Sequence, residues 1–178
     1  MNPLIQLVAF FVSIPARIRG MRFGRGSIIA PGYDWLFEQL KNIQIGNNCR
    51  IGKNAWVHTI GDGVITIGHG TNIGRYATIG ALSSVVIGND CLLSFGVTIL
   101  DHDHEFNKID TPPIKSGLTK PKDVVIEDDC FIGAHAFILK GVCLGKHCIV
   151  GANSVVTKSF PDYSIIAGNP ADLIRNIK

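Results

Sequence analysis

A parallel β-helix built from six-residue units is the fold predicted by this 178-residue sequence. Three observations predict it. An aliphatic residue returns every six positions over most of the chain, a small residue follows four places later, and glycine often stands directly after the aliphatic. An α-helix would space its apolar residues by three and four, and a single flat strand would alternate strictly. A period of six fits a short strand plus a turn, with three such units making one coil.

Composition sets the bounds. Hydrophobic residues make up 46% and charged residues 17% of the chain, which excludes a disordered polymer. One domain is expected at this length. A net charge of +3 is too mild for a nucleic-acid footprint but compatible with a small anionic ligand. The five cysteines are odd in number, include no CxxC pair, and have no histidine at metal-site spacing. They read as free thiols in a reducing cytoplasm, with no metal site.

Taken in order, residues 1–44 read as an N-terminal cap segment. Residues 3–14 (PLIQLVAFFVSI) are apolar, and Pro15 is expected to end the run. The run is shorter than the ~20 residues a membrane span needs, and it lacks the basic start and cleavage site of a signal peptide. Arg17, Arg19, Arg22 and Arg25 follow. The simpler reading is a cap over the core's open end or over a neighbouring subunit. The sharper one is a peripheral contact of residues 3–25 with the inner membrane face. Residues 33–41 (YDWLFEQLK) read as a short helix or loose strand whose Trp35, Leu36, Phe37 and Leu40 pack inward.

Residues 45–160 carry the repeat. The aliphatic series is Ile45, Ile51, Val57, Ile67, Ile73, Ile79, Ile87, Leu93 and Ile99, then Ile126, Ile132, Ile138, Leu144, Val150 and Val156. Four places on stand residues such as Cys49, Ala55, Thr71, Ala77, Cys91, Cys130, Ala136 and Cys148, expected to point into a narrow core. Glycine after the aliphatic is expected at a bend it accepts easily. The phase slips three times: between Val57 and Ile67, between Ile79 and Ile87 around Leu82-Ser83-Ser84, and between Ile99 and Ile126.

The third slip is a loop, residues 101–123, that opens DHDHEF. A loop this long inside a compact repeat is commonly functional. Two histidines flanked by carboxylates set an imidazole base beside a group able to orient it. Acyl transfer from a thioester needs little more: a base for the acceptor and a donor for the oxyanion.

The runs VTILDHDH, IEDDCFIGAHAFILKGVCLG and VGANSVVTKSFPDYSIIAGNPADLIR resemble the hexapeptide-repeat acetyltransferases, among them the maltose and galactoside acetyltransferases and the polysaccharide O-acetyltransferases. The resemblance spans roughly residues 45–175 by motif. It implies a left-handed parallel β-helix with a protruding loop and short terminal helices, assembled as a homotrimer with sites between subunits. It implies acetyl-coenzyme A as co-substrate, covered by a tail at residues 161–178. Residue by residue, the catalytic base falls on His102, with His104 as runner-up; Asp103 stands where the family often has proline. The oxyanion donor falls on the Ala134 N–H, with Phe131 in place of the usual tryptophan. Coenzyme contacts fall on Ala134, Ala152, Thr157, Lys158 and Arg175, the last two suited to phosphates. Substrate contacts fall on Tyr76, where an acceptor-binding Asn or Asp often stands, and on Asp101 and Asp103, for which an orienting role and a merely solubilising charge are equally open readings. His58, His69, His135 and His147 read as surface or turn residues, His135 drawing interest as the neighbour of Ala134. Lys115, Lys120 and Lys122 read as solvated charge.

The implied function is O-acetylation of a sugar or glycan precursor in the cytoplasm. Three alternatives stand beside it: N-acetylation of a nucleotide-linked amino sugar, a zinc protein resembling γ-carbonic anhydrase using His102, His104 and His135, and a non-catalytic scaffold.

Overall fold

The computed structural model describes residues 3–32 and 40–177. The chain is a left-handed parallel β-helix with three faces. The first sheet stacks Arg22–Phe23, Ile43–Ile45, Val64–Ile67, Ser84–Ile87, Val124–Ile126 and Cys143–Leu144. The second stacks Ile28–Ile29, Arg50–Ile51, Asn72–Ile73, Leu92–Leu93, Phe131–Ile132, Ile149–Val150 and Ser164–Gly168, with Ala171–Asn176 added antiparallel at its end. The third stacks Trp56–Thr59, Thr78–Ala81, Thr98–Leu100, Phe137–Ile138 and Val155–Val156.

The six-residue period becomes three columns of aliphatic side chains in exact register. Ile45, Ile67, Ile87, Ile126 and Leu144 pair in sequence down the first sheet. Ile29, Ile51, Ile73, Leu93, Ile132, Val150 and Ile166 do so down the second. Val57, Ile79, Ile99, Ile138 and Val156 form the third. All are at most 5% exposed, and each contributes about 1.5–3 kcal/mol through burial.

The small residues point inward as expected, and one column of them does more than fill space. The thiols of Cys49, Cys91, Cys130 and Cys148 donate to the carbonyls of Gly68, Glu127, Gly145 and Pro161 on the next coil. The Thr71 hydroxyl does the same to Gly88. All five cysteines are free, and Cys143 alone is exposed.

The glycine expectation needs correcting. Glycines after the aliphatic are not at left-handed bends. A Cβ on Gly68 would lie 2.5 Å from the Gly88 carbonyl carbon, so they are there because successive coils stack backbone on backbone. The left-handed bend comes two residues later. Asn48, Asn54, Gly70, Tyr76, Asp90, Gly96, Asp129, His135, Gly141, His147 and Asn153 all hold φ between 54° and 80°. Asn, Asp and Gly tolerate that region best.

Three expectations about the ends also change. The coil begins at Phe23, not Ile45: Phe23 pairs with Ile45, and Gly24, Gly26 and Ser27 repeat the hexad around an aromatic. Pro15 does not end the N-terminal helix, α1 (Pro3–Ile18). The helix continues one turn and stops at Gly20 (φ 94°), where Met21 N–H bonds the Ala16 carbonyl and Gly20 N–H bonds Arg17. The C-terminal end is not helical; it is the antiparallel strand pair 164–168 and 171–176. Residues 33–39 of the segment read as a helix or loose strand lie outside the described residues; Leu40–Asn42 forms a single 3₁₀ turn with Leu40 buried.

Candidate active site

The three slips in the repeat fall on one edge of the third sheet. The slip after Val57 lengthens the strand Trp56–Thr59 and buries His58. His58 pairs in register with Gly80, and Gly80 with Leu100. The slip after Ile79 adds Leu82 and Ser83 beyond that edge, and the loop leaves from Leu100.

Asp101 is fully buried just past Leu100. Its carboxylate accepts the Leu82 N–H (2.8 and 3.0 Å to its two oxygens) and the Ser83 N–H at 2.7 Å. Its Oδ1 lies 2.7 Å from Nδ1 of His102. A carboxylate only accepts, so Nδ1 donates to it, and in the neutral ring that tautomer leaves the lone pair on Nε2. Asp101 is therefore shut away from solvent, its carboxylate taken up by the Leu82 and Ser83 amides and the His102 ring. Asp103 faces the cavity at this edge and pairs with Lys140 at 2.8 Å, and Lys140 also donates to Thr119 at 2.7 Å.

The loop is pinned at its root. Glu105 N–H bonds Gly117 O, Thr119 N–H bonds Asp103 O, and Lys122 N–H bonds Asp101 O, at 2.8–2.9 Å. A short helix, α2 (Pro113–Ser116), caps its far end. His104 sits in this ladder opposite Leu118, with its side chain exposed.

The cavity, of about 590 Å³, is walled by Trp56, His58, Leu100 and Leu118 together with three expected site residues, His102, Asp103 and His104. His102 is 8% exposed within its wall. His58, expected at a surface turn, is instead 7% exposed and stacks on Trp56 at 3.9 Å. Its ring lies over Gly80, where a Cβ would sit 2.7 Å from its Cε1. Among the described residues its Nδ1 has no hydrogen-bond partner. Burial first, and His102 second, push its pKa down to about 4, so it stays neutral. The sequence signal that would have found it is the longer strand before Gly61-Asp62-Gly63.

The other expected residues are divided between two edges. Thr157 and Lys158 follow the strand Val155–Val156, on the same edge as His102. Lys158 pairs with Asp172 at 3.0 Å. Tyr76, Ala134 and Ala152 precede third-sheet strands, on the opposite edge from His102. Among the described residues, the Ala134 N–H has no acceptor. Arg175 lies exposed on the last strand, paired with Ile165. His135 shares the Ala134 edge, so within one chain His102, His104 and His135 do not converge, and among the described residues no three His, Cys, Asp or Glu side chains cluster as metal ligands. His69 is a turn residue whose Nδ1 accepts the Asn47 N–H at 2.8 Å, and His147 occupies a left-handed turn position.

Known proteins were compared with this architecture. Residues 42–65, 64–101 and 123–158 match the family model described as hexapeptide repeat of succinyl-transferase, which leaves out the loop. The chain is 33% identical over 140 residues to a putative lipopolysaccharide biosynthesis O-acetyl transferase, WbbJ, of Escherichia coli, covering 75% of this chain and 71% of that one. It is 30% identical to a galactoside O-acetyltransferase of Lactococcus lactis, covering 88% and 73%. Among solved structures, a variant of AntD, an N-acyltransferase from Bacillus cereus in complex with dTDP and Coenzyme A, superposes with a TM-score of 0.76 at 25% identity over 91% of this chain and 87% of that one. The repeat, its three registered columns and these matches together make the chain a member of the hexapeptide-repeat acetyltransferases.

Proposed function

We propose that this acetyltransferase moves the acetyl group of acetyl-coenzyme A to a hydroxyl of a sugar or glycan precursor, with His102 as general base. The observation that carries the reading is the buried Asp101–His102 pair, which leaves Nε2 of His102 as the available acceptor in the cavity wall. In this reaction Nε2 takes the acceptor's hydroxyl proton as its oxygen attacks the thioester carbonyl. The carbonyl oxygen becomes an oxyanion and draws on the Ala134 N–H. The C–S bond then breaks, and the imidazolium returns its proton to the departing thiolate. Direct attack on an already activated thioester needs no acyl-enzyme, and four of the five thiols are held in coil-to-coil hydrogen bonds.

His102 and Ala134 lie on opposite edges of one chain's third sheet, so the reading requires that a neighbouring copy bring its Ala134 to this His102. The proposal therefore includes a homotrimer with sites shared between copies. Lys158, Thr157, Ala152 and Arg175 are the groups assigned to the coenzyme. Trp56, 45% exposed over the cavity, supplies an apolar platform for a sugar ring. The likeness to the dTDP-bound AntD favours a second acceptor class, the amine of a nucleotide-linked sugar; the same base serves it.

Free thiol release from acetyl-coenzyme A, screened against free sugars, nucleotide sugars and lipid-linked glycans, tests the reading. His102→Ala should abolish turnover with coenzyme binding unchanged, while His104→Ala keeps it. The reverse pattern overturns the assignment. Mild alkali separates the acceptor classes, since an O-acetyl ester is cleaved and an N-acetyl amide survives.

A further inference from the structure

We infer that α1 is a membrane-docking helix that lays this protein on an anionic lipid surface. The helix is inverted relative to an ordinary surface helix. The side toward the body carries Val12, Ser13 and Ala16, of which Ser13 and Ala16 are at most 1% exposed. The outward side carries Leu4, Leu7, Val8, Phe11 and Ile18, each more than half exposed. Their spacing of three, four and seven makes one continuous apolar stripe along the helix. A surface helix normally turns such a stripe to the core.

Charge selects the occupant. Residues 1–61 hold seven basic and two acidic side chains, while residues 62–178 hold ten and twelve. Neither acid of the first stretch lies in the helix or the arginine run, and Arg17, Arg22 and Arg25 are all exposed beside the stripe's C-terminal end. A second copy of this chain would bring the same cations against them, whereas anionic headgroups complement them. The hollows on the two flanks of the helix fit the two halves of a lipid. One, about 330 Å³, is apolar and lined by Leu4, Val8, Val12 and Ile29. The other, about 240 Å³, is lined by Phe10 with Arg17 and Arg25. At 16 residues the helix is about 24 Å long, short of the ~30 Å hydrocarbon core, so it lies in the interface and does not cross.

The test is co-sedimentation of the full chain with phosphatidylcholine vesicles, with and without phosphatidylglycerol. The expected result is binding only when the anionic lipid is present, weakened by salt. Arg22→Ala and Arg25→Ala should each lower partitioning about fivefold, and the double variant Leu7→Glu/Phe11→Glu should lose it. All these side chains are exposed, so circular dichroism and the coenzyme-binding affinity should match the parent chain. Failure of the parent chain to bind anionic vesicles at low salt overturns the inference. So does unchanged binding by Leu7→Glu/Phe11→Glu. If that variant instead breaks up the oligomer by light scattering and vesicles are ignored, the stripe is a contact between copies.

Discussion

Asp101→Asn is the sharpest perturbation of the proposed site. Asparagine keeps the size of the side chain but turns one acceptor oxygen into an NH₂. The Leu82 and Ser83 amides, 2.7–3.0 Å from the carboxylate, must keep the remaining oxygen, so the NH₂ faces Nδ1 of His102. Nδ1 then has to accept, and the imidazole proton moves to Nε2, where it blocks proton abstraction. The same swap of tautomer in a Ser-His-Asp triad lowers kcat by about 10⁴, so a fall of about 10³–10⁴ is expected here. The loss of charge from these hydrogen bonds costs about 1.5–3 kcal/mol. For a chain of this size that is a drop in Tm of roughly 3–12 °C. Coenzyme affinity should not change, because Asp101 is fully buried and touches no ligand surface. Thiol-release kinetics, a thermal melt and calorimetric titration with coenzyme A measure the three quantities. A folded Asp101→Asn chain with parental kcat refutes the orienting role and, with it, the choice of His102.

Four further outcomes follow from the same geometry. His58 is neutral when folded (pKa about 4) and ordinary when unfolded, so the unfolded chain binds the extra proton below about pH 6.5; its share of stability, on the order of 3 kcal/mol, is full above that pH and lost toward pH 4. His58→Asn should flatten the fall in Tm over this window relative to the parent. Gly80→Ala sets a Cβ 2.7 Å from the His58 ring and 2.9 Å from Leu100, so it should cost about 1–3 kcal/mol and raise KM for the acceptor in thiol-release assays. Lys140→Met removes the link from Asp103 to Thr119 at the loop root and should raise KM for the acceptor with a stability loss of about 1 kcal/mol or less in urea unfolding. Ile99→Ala, in the middle of the third column, should cost about 2–5 kcal/mol by the same unfolding measurement.

The solenoid was legible because its forces are local and periodic. Each coil pays the same steric demand at the same place, so Ile73, Leu93 and Ile132 announce their column without knowledge of their neighbours. Where a hexad used an unusual residue the reading failed: Phe23 in an aliphatic slot hid the first coil. The loop histidine was legible for a similar reason, since an interruption stands out against a repeat. His58 was not. It lies in an unremarkable strand, and only the register His58–Gly80–Leu100 brings it beside His102 and leaves the space its ring occupies.

By itself the sequence determined the three-sided coil, the inward thiols and the loop that carries a candidate base, because period, side-chain size and one long break are properties of the chain taken in order. Only the tertiary structure decided what the two shorter slips are for. Leu82 and Ser83 read as irregular spacing until the coils stack, and then their amides meet Asp101 from a residue 18 or 19 positions away. It also decided that Asp101 holds His102 while Asp103 holds Lys140, two carboxylates each followed by a histidine. Hydrogen bonds between coils depend on which residues the register sets opposite each other, and no local pattern contains that information.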